Sequence, residues 1–211
     1  MKHSQGPVRR FALVALTASA AAFTFLAAPV HAQGKADVGD LVFDNIPSPE
    51  FAGVKNKSFK PKDWLEVEAG IKVPAASADQ KKIGFINQVT VKWYVAMDNP
   101  DGKGFVMLSK TINHINVPVD EEVFSSVYLS PSTLKRLTGK DRAGKSAVKA
   151  VGLEVLVDGV KVGQGSVKQK DGWWASPSLS NQSDKFPLLN KMETPFAPMW
   201  WDRYAEIQEQ R

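Results

Sequence analysis

Not one of the 211 residues is cysteine. That absence excludes disulfides, thiolate metal sites, thiol catalysis and lipid attachment through an N-terminal cysteine, so the fold must be held by its core alone. Histidine is almost as scarce. Of three, His3 and His31 lie in the first 32 residues, leaving His114 for the rest of the chain. A Ser-His-Asp triad would have to use it. Yet His114 sits in "KTINHINVP", a strand-like stretch, without the Gly-x-Ser-x-Gly turn that presents a nucleophilic serine. A strand histidine hydrogen-bonded to its neighbours is the simpler expectation. Metal ligands are equally short. With one histidine and no Asp-rich calcium loop, Asp98 and Asp101 in "DNPDG" remain, and such a turn wants Asp and Asn for backbone reasons alone.

A surplus of one charge is also missing. The formal net charge is +5, but Lys2, Arg9 and Arg10 precede the apolar run of residues 11–30, which closes on Pro29, Val30 and Ala32. This is the pattern of an export signal, with a basic start, an apolar middle and a small-residue cleavage site after Ala32. An uncleaved anchor is the alternative, since the run is long enough to span a bilayer. Removal of residues 1–32 takes away three bases and leaves +2, with the lysines dispersed, which argues against a nucleic-acid partner.

Long helical periodicity is absent as well. Alternation dominates: in "IGFINQVTVKWYVAMD" Ile83, Phe85, Val89, Val91, Trp93, Val95 and Met97 share one parity. In "WLEVEAGIKV" Leu65, Val67, Ala69, Ile71 and Val73 do the same. "EEVFSSVYL" makes another strand, and "AVGLEVLVDGVKVGQGSVK" reads as two strands joined at Asp158-Gly159, the strongest short hairpin signal. One interior segment, "SPSTLKRLTGK", has helix punctuation, with Ser130 as cap, Pro131 at the first position and Gly139 at the end. Residues 73–82 read as a loop. About seven strands and one connector helix predict an all-β, antiparallel immunoglobulin-like sandwich over 33–184, with a small barrel as the alternative.

Aromatics are the one excess. Six tryptophans are present. Trp93 is in phase with the core. Trp173, Trp174, Trp200, Trp201 and Tyr204 are the candidate contacts for a partner or a glycan, because planar rings can stack on sugars. Glu66 and Glu68, about 7 Å apart on one strand face, match the spacing of a glycosidase pair, but an open solvent face beside Lys72 is the expected setting. The tail, 185–211, carries Phe186, Leu188, Leu189 and Phe196, too many anchors for a free linker. After Pro198, Trp200, Tyr204 and Ile207 recur at helical spacing, so the tail is expected to end in a short helix and to pack on the sandwich. A motif held out for a partner is the alternative.

The strings "FAGVKNKSFKPKDWLEVEA", "TINHINVPVDEEVFSSVYLSPSTLKRLTGK", "VGLEVLVDG" and "LLNKMETPFAPMWWDRYAEI" resemble a family of exported, pilus-like proteins encoded in type IV pilus gene clusters of mucus-dwelling gut bacteria. The resemblance spans roughly residues 50–205. It implies an immunoglobulin-like sandwich similar to type IV pilus subunits and a place in the cell envelope or on its surface. It also implies a non-enzymatic role in assembly, adhesion or host contact, with envelope or pilus-cluster proteins or the host surface as partners. No cofactor, metal or catalytic residue comes with it. A pilin-type processing site, Gly before Phe or Met with Glu five residues on, is missing around Phe11, so the likeness concerns the globular fold. A carbohydrate-binding module is the alternative function.

Overall fold

Apart from the initiating methionine, the computed structural model describes residues 34–50, 60–140 and 144–209. The export signal, 1–32, and the stretch 51–59 that carries part of the resemblance therefore lie outside the described residues.

Among the described residues, eleven strands form two sheets. Sheet A joins β1 (Asp37–Val38), β3 (Asp63–Lys72), β6 (Glu122–Leu129) and β10 (Leu189–Asn190) in that order, with β2 (Val42–Pro47) also paired to β3. Sheet B has the order β11 (Glu206–Ile207), β5 (Phe105–Pro118), β4 (Phe85–Asp98), β7 (Val148–Val157), β8 (Val160–Val167), with β9 (Ser180–Asn181) beside β5. All pairings are antiparallel except β5 with β9 and an isolated Phe124–Tyr204 bridge. Seven strands have six or more residues, and the two sheets make an immunoglobulin-like sandwich. The inner parity of β3 and β4 fills it: Leu65, Val67, Ala69 and Ile71 face Val89, Val91, Trp93 and Val95, all essentially inaccessible. Burial on this scale is the main favourable term.

Local chemistry sets the connections. Asp158 (φ 50°) and Gly159 (φ 77°) form the two-residue turn between β7 and β8, the type I′ geometry that matches strand twist. Helix α2 (Pro131–Thr138) is capped at Ser130, whose Oγ accepts from the Thr133 amide at 3.2 Å, and stops at Gly139 in the left-handed region.

Three expectations need correction. Residues 73–82 are not all loop: α1 (Ala78–Ile83) is capped by Ser77 and ended by Gly84. It buries no residue, so no apolar period marks it. Ile83 and Phe85 consequently lie outside the core, where Ile86 takes the buried position. The tail does not end in an α-helix either. Trp200 adopts φ 51°, Trp201–Arg203 make a single 3₁₀ turn, and the chain then straightens into β11. An isolated helix of this length is marginal in water. The open edges of β5 and β6 instead offer backbone partners: the Ala205 amide donates to Phe124 O (3.1 Å) and the Gln208 amide to Asn113 O (2.9 Å). Edge hydrogen bonds outcompete a free-standing turn of helix.

The tail thus forms a strap. It pairs with β6 through β10, crosses the outer face of sheet A, and ends on β5 of the other sheet. Phe186, Leu188 and Phe196 are buried along it. Phe196 stacks on Tyr128 (centroids 5.4 Å) and meets Trp64 edge-on at 5.7 Å. Under this cover Ser125 and Ser126 are both buried, although adjacent strand residues point to opposite faces.

Candidate functional site

The side chains that could carry chemistry are engaged in holding the strap. His114 on β5 is fully buried. Its Nε2 lies 2.9 Å from Ser125 Oγ, which also receives Trp93 Nε1–H at 3.1 Å. An indole N–H can only donate, so Ser125 accepts there and turns its own proton to His114 Nε2. The ring proton is then on Nδ1, which donates to the carbonyls of Ala205 and Glu206, 3.2 Å each. Both nitrogens are spent, and burial pushes the imidazole pKa down to about 4 against the pull of those carbonyls.

Glu66 and Glu68 are not on an open face, as their strand parity suggested. The strap lies over them. Glu66 Oε1 accepts from Tyr128 OH at 2.7 Å, while Glu68 accepts from Tyr204 OH (2.7 Å) and Arg203 (2.8 Å). Burial raises the Glu66 carboxyl above its ordinary value, opposed by the Tyr128 hydroxyl. Arg203 lies 3.5 Å over the Phe124 ring. These carboxylates are anchor points for tail hydroxyl and guanidinium groups. Among the described residues no group of three or more His, Asp or Glu is arranged to hold a metal ion.

The aromatic candidates fall on two different sheets. Trp173 and Trp174 sit in the 3₁₀ turn Trp173–Ala175, after Gly172 in the left-handed region. Trp174 is buried and stacks flat on Tyr94 (5.0 Å, 3°), above Gly152, where any Cβ would strike the indole. Tyr94 OH donates to Glu154 at 3.0 Å. Trp174 therefore covers the outer face of sheet B and offers no free ring. Trp173 is half-buried against Trp174. Tyr204 is half-buried too, committed to Glu68 and to the Lys191 ammonium 4.8 Å from its ring.

Trp200 and Trp201 differ. They stay 52% and 58% exposed. The loop that presents them is braced from below by buried Lys191, whose Nζ donates to the carbonyls of Ala197 (3.0 Å) and Met199. Burying an ammonium on carbonyls, without a direct carboxylate ion pair, is costly, and a bulky residue at positive φ adds strain. Trp200 also forms a wall of an apolar groove of 510 Å³ with Ile46, Pro47, Pro49, Phe196 and Met199. Sequence reasoning missed the Lys191 brace. A local signal for its turn was present in "NKME": Asn190 and Glu193 form a capping box, the spacing of which is readable directly.

No curated protein sequence matches this chain. Among solved structures, a protein from Akkermansia muciniphila is similar, with 38% identity over 84% of this chain and 94% of that one and a TM-score of 0.75. A protein-family model matches residues 27–211. At that identity and coverage, the chain belongs to the family represented by this model and the A. muciniphila protein.

Proposed function

We propose that this is an exported, non-enzymatic, pilus-like surface protein that works by contact, in pilus-associated assembly, adhesion or host interaction. The observation that carries the reading is the Trp200–Trp201 loop. Three local costs meet there: two half-exposed indoles, a left-handed tryptophan and, beneath, a buried lysine whose ammonium is hydrogen-bonded to carbonyls rather than to a carboxylate. Such strain persists where the surroundings over-determine it, and it clusters at recognition sites. The non-enzymatic part is supported by the use of His114, Glu66 and Glu68 as strap anchors, with His114 fully buried and both carboxylates hydrogen-bonded to tyrosine hydroxyls. The resemblance to proteins of type IV pilus gene clusters supplies the envelope setting and the class of partner.

Cross-linking of residues 33–211 in the native envelope, followed by mass spectrometry, tests this. The expected neighbours are pilus-cluster proteins joined through residues around Trp200. A protein retained in the cytoplasm, or links only to cytoplasmic enzymes, would overturn it.

A further inference from the structure

A second, polar groove of 290 Å³ lies between β5 and the strap. Its walls carry Thr111 and Asn113 from β5, and Asn190, Met192 and Glu193 from the strap. Its chemistry differs from that of the Trp200 groove. Asn113 uses only Oδ1, for Thr90, and Asn190 uses only Oδ1, for the Glu193 amide. The Nδ2 groups of both, and the Thr111 hydroxyl, have no protein partner among the described residues. Lys110 is paired to both oxygens of Glu193 at 2.7 and 2.9 Å, so that charge is neutralised locally. Glu209 is the other charged residue on the wall, which disfavours anions.

Met192 and Ile207 line this groove and also the small cleft beneath Trp201. The exposed indole of Trp201 and the polar groove therefore share a wall. A flat ring beside amide donors and a hydroxyl, with little net charge, suits a neutral molecule with one apolar face and many hydroxyls. We infer that the β5–strap groove, with Trp201 at its rim, binds a neutral saccharide: the indole covers a sugar face while Thr111, Asn113 and Asn190 meet its hydroxyls. This ligand assignment shares the Trp201 indole with the pilus-associated reading, but it needs the β5–strap groove, which that reading does not use.

Saturation-transfer NMR and calorimetry on purified residues 33–211 test it, with maltotriose, chitotriose and N-acetyllactosamine as probes. At least one should bind, and Trp201→Ala and Thr111→Val should each weaken that binding about tenfold. Trp200→Ala, on the other side of the loop, should leave it unchanged. All three positions are partly or well exposed, and unchanged melting temperatures would show that the variants fold. Absence of binding at millimolar probe overturns the inference, as does binding indifferent to Trp201→Ala and Thr111→Val. Because the assay contains no envelope partner, its failure leaves the cross-linking result untouched.

Discussion

The Oγ of Ser125 lies 2.9 Å from Nε2 of His114, and the same oxygen accepts the Trp93 indole proton at 3.1 Å. One hydroxyl thus joins the two sheets and, through the far side of the imidazole, the strap. Ser125→Ala removes a partner from two buried groups at once. At roughly 1–3 kcal/mol for each unsatisfied group, the variant should lose about 2–6 kcal/mol in urea unfolding. A loss within error would show that the triad does not form.

Acid should weaken the fold through His114. Its ordinary pKa is 6.5, against about 4 when folded. Between these values the unfolded chain holds a proton that the native state lacks, so its contribution is complete above pH 6.5 and is lost progressively towards pH 4. The loss is on the order of 3 kcal/mol. Glu66, held above its ordinary value by burial, titrates in the opposite sense, since its neutral form favours the native state. Imidazole NMR shifts from pH 7.5 to 4.5, read beside urea midpoints, separate the two groups. A His114 that titrates at its ordinary value in the folded protein would contradict the buried, doubly bonded ring.

At the β7–β8 turn, Gly159→Val forces a β-branched residue to φ 77°. The cost should be about 1–2 kcal/mol, a fall of several degrees in melting temperature for a domain of this size. An unchanged melt would place the turn elsewhere.

Removing residues 186–211 should be far more damaging. Phe186, Leu188 and Phe196 are each worth about 1.5–3 kcal/mol of burial, against a total stability of roughly 5–15 kcal/mol for a typical domain. The truncated chain should lose a cooperative melt and bind hydrophobic dyes. A melt like that of the intact protein would mean that the strap is an accessory.

The strands, the Asp158-Gly159 turn and α2 were legible because each is written locally, in period-two burial, in residues that accept positive φ, or in a cap. Helix α1 had the caps but no buried face, so periodicity could not register it. The strap's ending was illegible for a different reason. Trp200, Tyr204 and Ile207 do stand at helical spacing, but the competing partners, Phe124 O and His114 Nδ1, are 80 or more residues away in sequence. Likewise, nothing near Glu66 in the sequence announces that Tyr128 and Tyr204 will cover it. Parity correctly predicted that Trp93 is core, yet it could not place Trp174, which sits in a 3₁₀ turn over Tyr94.

On the proposed function, the strap is part of the fold while its two outward tryptophans, Trp200 and Trp201, meet a partner. The double variant Trp200→Ala/Trp201→Ala addresses this most directly, measured for melting temperature and for cross-linked capture of envelope proteins in the same preparation. Both rings are more than half exposed, so the melting temperature should move by no more than about 2 °C while capture of pilus-cluster proteins is lost. Capture equal to that of the unaltered protein would contradict the account.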